Sequence, residues 1–293
     1  MTVLDEIKTT VGTLLDRVAP GVVGVGHGWG VGSGIVIGPG RVLTNAHNLR
    51  GEEITVRFAD GRSEPATPLG VDVDGDLAVL QVTTGDATPV EWGEDGIEIG
   101  TPVFAVSNPG GGGVRVTFGL VSAVDRSFRG PRGRTIPGGI EHTAPLVSGS
   151  SGGPVLDAAG RLVGINTHRL GDGFYLAIPS DASLRERVER LSSGHTPTRA
   201  RLGIAVAPPH VARRLRRAVG LPEADGLLVR RVEDTSPAAA AGVREGDLIV
   251  AAGGAPTPDV DTLSAAVDNA GGSLELKLLR GAEERTVTVE VGS

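Results

Sequence analysis

Gly149-Ser150-Ser151-Gly152-Gly153-Pro154-Val155-Leu156, continued by Asp157-Ala158-Ala159-Gly160 and Leu162-Val163-Gly164-Ile165-Asn166, separates the two folds open to this chain. Its first five residues satisfy G-x-S-x-G, the strand–turn–helix elbow that exposes a serine at the top of an α/β sheet. That elbow requires a helix next, and here Val155 and Leu156 lead into a hairpin turn and another strand-like run. It also requires its acid and its histidine downstream. His168, His195 and His210 lie downstream, but none has a supporting context. The stretch therefore reads as a glycine-rich turn inside an all-β fold. Small residues around Ser151 let the backbone curl until neighbouring N–H groups point the same way, as is needed to hold an oxyanion. Gly149 and Ser151 are candidates to supply those groups, although the same residues also suit a plain turn with an incidental serine.

Outward from this point the pattern stays β-like. Gly21–Gly26, Gly34–Ile37, Arg41–Leu43, Ile54–Phe58, Leu77–Val82, Val103–Val106 and Val114–Val124 read as strands before it. Gly153–Leu156, Leu162–Asn166 and Phe174–Ile178 read as strands from it onward. About ten short strands without helical periodicity predict a sandwich or barrel. The pattern then changes: Asp181–Leu191 reads as a helix capped by Ser180 or Asp181, and the polar stretch 192–199 as a linker. Residues 200–293 mix strands (Leu202–Val206, Gly226–Val232, Asp247–Ala251, Leu274–Arg280, Arg285–Val291) with helices near Val211–Val219 and Val260–Asn269. At the other end, residues 1–20 read as an amphipathic helix, with Val3, Ile7, Val11, Leu14, Leu15 and Val18 at helical spacing.

Composition narrows the function. The 293 residues suggest about two domains. A net charge of −7 does not favour nucleic-acid binding. Arg213, Arg214, Arg216 and Arg217 read as a solvated helix face. With no cysteine, disulfide and thiolate chemistry are excluded. No apolar run reaches the ~18 residues of a bilayer span, and the N-terminus is not a signal peptide. The expectation is a cytoplasmic protein, or an exported one whose export segment has been removed. No metal or cofactor is called for.

A serine hydroxyl is a weak nucleophile without a general base. His47 ends Val42-Leu43-Thr44-Asn45-Ala46-His47, where an apolar strand gives way to a polar loop. A strand end holds an imidazole rigidly, although a histidine there could also merely cap the strand. His27, His142, His168, His195 and His210 read as surface or structural. A base needs a carboxylate to fix its tautomer. Of Asp72, Asp74 and Asp76, the last abuts the apolar run Leu77–Leu80, so it is expected to be buried and oriented, with the other two exposed in a turn. The order His, Asp, Ser is that of the chymotrypsin-type proteases.

Together, Leu43–His47, Asp74–Val82 and Gly149–Val155 resemble the three triad motifs of the HtrA-like (Deg-type) serine proteases. Ser107–Gly110, Thr117–Ala123 and Ala177–Ser180 resemble further motifs of that family. The resemblance implies a mainly β fold, a chymotrypsin-like double β-barrel over 21–191 followed by a small α+β PDZ domain. It implies His47 as general base, Asp76 as its orienting acid and Ser151 as nucleophile, with an oxyanion hole at the backbone of Gly149, Ser150 and Ser151. The chain departs from the family at Ser148 and Ser150, where Pro and Asn are usual, and at Asn48-Leu49, where two valines are usual. Pro145 stands six residues before the nucleophile, where trypsin-like enzymes carry Asp, so the implied pocket, lined by Pro145, Thr167 and Tyr175, is apolar.

Residues 200–293 resemble the PDZ domain of the same family. Leu202-Gly203-Ile204 matches its carboxylate-binding loop, and Ser236–Val243 with Gly246–Ile249 matches its central motif. Leu263 and Val267 are expected to face the peptide or the core. The resemblance implies peptide C-termini and unfolded proteins as partners, and a homotrimer built through residues 1–20, although these hold no aromatic anchor. A different reading also stands: a non-proteolytic peptide-binding scaffold or chaperone that keeps the triad behind a collapsed oxyanion hole.

Overall fold

Neighbouring residues of the strands are buried against different partners. Val23, Val25, Val36, Val42 and Leu80 fill one barrel, whereas Val22, Ile35, Leu43, Leu77 and Val79 belong to a cluster shared with Phe104, Leu156, Ile165 and Leu176 of a second. Side chains alternate along a strand with period two. A strand covered on both faces therefore reads as an apolar run rather than as an alternation.

The computed structural model describes residues 2–291 except 28–29, 50, 52, 94–95, 132–134 and 198–199. Residues 1, 198–199 and 292–293, which end the segments expected as helix, linker and second domain, lie outside that description, as does the His27 side chain. The chain divides into two compact units, Met1–Pro197 and Thr198–Ser293.

The first unit opens with helix α1 (Val3–Val18), closed by a capping box in which Thr2 N–H donates to Asp5 Oδ2 at 2.9 Å. Leu14 and Val18 seat it on the shared cluster, and Arg17 pairs with Glu91. Six strands follow: β1 (Val22–His27), β2 (Gly30–Gly38), β3 (Arg41–Thr44), β4 (Ile54–Arg57), β5 (Ser63–Asp72) and β6 (Leu77–Gln81). They close into a barrel in the order β1-β2-β3-β6-β5-β4. A second barrel takes β7 (Pro102–Ser107), β8 (Arg115–Arg129), β9 (Thr135–His142), β10 (Pro154–Leu156), β11 (Leu162–Gly171) and β12 (Phe174–Pro179), in the order β10-β11-β12-β9-β8-β7. Helix α2 (Ala182–Ser192) is capped by Asp181, which accepts from Leu184 N–H at 2.8 Å, and buries Leu184, Val188 and Leu191.

Two strands of this first unit escaped the sequence. β5 holds Pro65 and Pro68, and β9 holds Pro137, Gly138 and Gly139, residues that locally argue against a strand. Barrel closure overrides them, with a register shift at Pro68/Gly70. Asp72 is likewise not an exposed turn residue. It is 4% exposed at the end of β5, and Arg187 of α2 donates to its Oδ2 at 3.0 Å.

The second unit comprises β13 (Ile204–Ala207), α3 (Pro209–Ala218), β14 (Leu227–Val232), α4 (Pro237–Ala240), β15 (Leu248–Ala252), β16 (Ala255–Pro256), α5 (Val260–Asp268), β17 (Ser273–Arg280) and β18 (Glu283–Glu290). Its sheet runs β13-β14-β15-β17-β18, with β16 paired to β15. The arginines of α3 are not simply a solvated face. Arg216 is buried and donates to the carbonyls of Pro222 and Gly281 at 3.0 and 3.1 Å, while Arg213 and Arg217 pair with Asp225 and Glu223. No helix among the described residues is long and apolar enough to cross a membrane.

Candidate active site

The register of one strand pair sets up the first half of the site. Thr44 of β3 lies opposite Ala78 of β6. The chain leaving β3 therefore runs beside the chain entering β6, and His47, in a short 3-10 turn (Ala46–Asn48), meets Asp76. His47 Nδ1 lies 2.9 Å from both Oδ1 and Oδ2 of Asp76, and the His47 backbone N–H donates to Oδ1 at 3.2 Å. Asn45 Nδ2 donates to the Asp76 carbonyl at 2.9 Å, holding the residue in the left-handed region at φ 54°. Asp76 is 2% exposed. A buried carboxylate is costly unless hydrogen-bonded; as an acceptor it fixes the neutral ring's proton on Nδ1 and leaves Nε2 as the basic atom.

The second barrel supplies the rest. Thr167 of β11 donates from Oγ1 to Asp76 Oδ2 at 2.7 Å, and its carbonyl accepts from Ser151 Oγ at 3.2 Å. Thr167 thus links Asp76 to Ser151 across the two barrels. The loop Ser148–Gly153 ends at β10 and is tied down by Gly152 N–H donating to the Asn166 carbonyl at 2.7 Å and Gly153 N–H to the Ser150 carbonyl at 3.0 Å. Gly149 has φ 87°, open to glycine and strained for other residues. Its carbonyl accepts from Ser33 Oγ at 2.8 Å. Among the described residues, the N–H groups of Gly149 and Ser151 donate to no protein acceptor. Ser150, one of the departures from the family, is buried with its hydroxyl donating to Ser107 Oγ at 3.2 Å, behind the loop.

A trypsin-like peptidase domain model matches residues 32–165, and a PDZ domain model matches residues 200–291. The chain is 36% identical over 278 residues to the putative serine protease HhoA of Synechocystis sp. (strain ATCC 27184 / PCC 6803 / Kazusa), covering 89% of this chain and 70% of that one. The chain belongs to the HtrA-type serine proteases. A probable periplasmic serine endoprotease, DegP-like, of Halomonas elongata is 32% identical over 272 residues, and this HtrA-type chain spans 56% of its length. Among solved structures, the HtrA-type protease AlgW with decapeptide superposes with a TM-score of 0.64 at 28% identity, covering 96% of this chain and 98% of that one. The serine endoprotease from Yersinia pestis superposes at 0.63, with 27% identity and 96% of each chain covered.

Placed in this HtrA-type frame, the residues expected to line a substrate pocket divide. Pro145 is exposed, Thr167 turns its hydroxyl to Asp76 instead of to a pocket, and Tyr175 is 5% exposed with its ring 5.8 Å from that of His142. His142 is fully buried; its Nε2 meets Asn166 Oδ1 at 2.9 Å, and burial lowers its pKa to about 4 against the Asn166 hydrogen bond. His168, His195 and His210 are exposed.

In the second unit Gly203 has φ 74°, and a Cβ there would lie 2.2 Å from Ser236 Cβ. The carbonyls of Leu202 and Gly203 accept from Ala238 and Glu233 at 3.0 and 2.9 Å, and their N–H groups have no protein acceptor among the described residues. β13 is an end strand of its sheet. Leu263 and Val267, one helical turn apart on α5, are 5% and 4% exposed and belong to the core, as does the Leu202 side chain. Burying the apolar face of α5 against the sheet places them in the core, one of the two places expected for them.

Proposed function

We propose that the chain is an endopeptidase acting on unfolded or misfolded proteins by an acyl-enzyme mechanism. Ser151 Oγ leaves the Thr167 carbonyl, gives its proton to His47 Nε2 and attacks the peptide carbonyl. The N–H groups of Gly149 and Ser151 receive the oxyanion. Asp76 holds the resulting imidazolium, which then protonates the departing amine. Water, deprotonated by His47, releases the acid and restores Ser151. The observation that carries this reading is the pair of N–H groups at Gly149 and Ser151 without a protein acceptor, beside a histidine oriented by a buried carboxylate.

The second unit is proposed to take peptide C-termini. A carboxylate would meet the N–H groups of Leu202 and Gly203, and the peptide backbone would add to the outer edge of β13. An assembly of three copies through α1, where Leu4 is 76% exposed, completes the reading. Light scattering of the purified protein tests it, and a particle of a single 29.8 kDa chain refutes it.

The test of the activity is labelling by a fluorophosphonate, with and without unfolded casein, in the parent and in Ser151→Ala. Labelling of the parent alone is expected, with casein turnover in the variant lower by about 10⁶-fold and its circular dichroism unchanged. Equal turnover in the two proteins sinks the assignment.

A further inference from the structure

The 3-10 turn that carries His47 carries a second polar side chain aimed at the nucleophile. Asn48 is 7% exposed; its Nδ2 donates to Thr44 Oγ1 at 3.0 Å and to the Ser151 carbonyl at 2.9 Å, across 103 residues of sequence. The Ser151 carbonyl also accepts from the Ser33 N–H at 2.8 Å. Ser33 is fully buried. Its hydroxyl donates to the Gly149 carbonyl at 2.8 Å and accepts from the Asn108 N–H at 3.0 Å, and its own carbonyl accepts from Thr44 Oγ1 at 2.7 Å. Ser33 and Asn48 of the first barrel thus hold the carbonyls of Gly149 and Ser151, on either side of the Ser150–Ser151 peptide of the second. Chain and side chain are fitted closely here: a Cβ at Gly32 would fall 2.2 Å from Asn48 Cγ.

We infer that Asn48 is a positioning residue for the oxyanion hole, acting together with Ser33 to hold the nucleophile loop in the orientation that leaves the Gly149 and Ser151 N–H groups directed at substrate. Planarity ties an N–H only to the carbonyl of its own peptide. The planes anchored here, Gly149–Ser150 and Ser151–Gly152, are the next ones along from those that carry the Gly149 and Ser151 N–H groups, so fixing them narrows the backbone dihedrals open to Gly149 and Ser151. Anchoring the Gly149 and Ser151 carbonyls therefore limits rotation of the loop's peptide planes. The anchor sits on the turn that also carries His47, so base, hole and nucleophile share one rigid reference in the first barrel. Each of these hydrogen bonds is modest alone, but the Asn48 and Ser33 side chains are themselves buried, where a lost partner costs more. The role acts on the transition state, because the hole bears charge only when the oxyanion forms.

This inference rests on the protease reading above. Its test is steady-state kinetics on a chromogenic peptide ester with the full-length chain, comparing the parent with Asn48→Leu, Ser33→Ala and the double variant. Leu matches Asn in shape and cannot donate. Asn48→Leu is expected to lower kcat about ten-fold, with KM within two-fold. The pH at which kcat/KM is half-maximal stays put, because the His47–Asp76 pair is not touched. The double variant is expected to lose less than the product of the single losses, since both residues hold one loop. A kcat within two-fold of the parent overturns the inference, and so does a rise in KM alone, which would mark a groove-shaping residue. Should Asn48→Leu melt below the assay temperature, Ser33→Ala carries the test. Activity that falls only with the folded fraction, read by near-ultraviolet circular dichroism, also overturns it. A parent that takes no fluorophosphonate brings down the protease reading and this inference together, whereas a labelled parent with unaffected variants brings down only the inference.

Discussion

The two barrels of the first unit each bury an ionisable side chain, and they treat it in opposite ways. The first sinks Asp76 to 2% exposure and surrounds its carboxylate with donors: His47 Nδ1, the His47 N–H and Thr167 Oγ1. The second sinks His142 completely, gives its Nε2 one partner in Asn166, and leaves Nδ1 with none among the described residues. A fold can keep a buried group charged only by supplying hydrogen bonds to the charged form. Where it supplies few, the neutral form persists and the pKa moves, here down to about 4 for His142. Asp76 meets His47 and, through Thr167, Ser151, whereas His142 packs against Asn166 and Tyr175 of its own barrel.

Asp76→Asn is the most severe way to break this contrast. An amide of the same shape presents a donor where His47 needs an acceptor, so the ring takes the wrong tautomer. A fall in kcat of about 10⁴-fold at pH 8 is expected, measured on a peptide ester with the melting temperature as control; a loss below ten-fold would mean that Asp76 is not the orienting acid. The next effect is on stability. His142 is neutral in the folded chain down to about pH 4 but protonates near 6.5 when unfolded. The unfolded state therefore binds the extra proton between these values, and stability falls as the pH drops from about 6.5 to about 4. The shift corresponds to about 3 kcal/mol, to within a factor of two. Urea unfolding of the parent and of His142→Gln across that window is expected to show the parent losing more, and parallel curves would contradict it. The smallest effect is expected from Thr167→Val, which removes one donor from Asp76. It should cost about 1–3 kcal/mol in stability and lower kcat by roughly ten-fold. An unchanged kcat would show that the carboxylate is held by His47 and its own turn alone.

How far the sequence carried depended on the range of the interaction. The run of α1 rests on contacts within four residues, and residue spacing alone suffices to read it. Local sequence also narrowed the cap of α2 to Ser180 or Asp181, of which the structure uses Asp181. β5 and β9 could not be read this way. Their prolines and glycines speak for turns, and only closure of each barrel by distant partners makes them strands. Asp72 was misjudged for the same reason, because its partner Arg187 lies 115 residues away. Thr167 was noticed as a pocket residue, and what hides its actual partner is a separation of 91 residues from Asp76.

By itself, then, the sequence determined the strand-rich architecture, the order of His47, Asp76 and Ser151, and the glycine-rich turn around the serine. Each follows from residue type and short spacing, which local backbone physics constrains strongly. Tertiary structure alone decided that Thr167 serves Asp76, that Leu263 and Val267 face inward, and that Asn48 reaches the Ser151 carbonyl. These are contacts between segments far apart in the chain, and the packing of barrel on barrel and helix on sheet selects them after the local elements have formed.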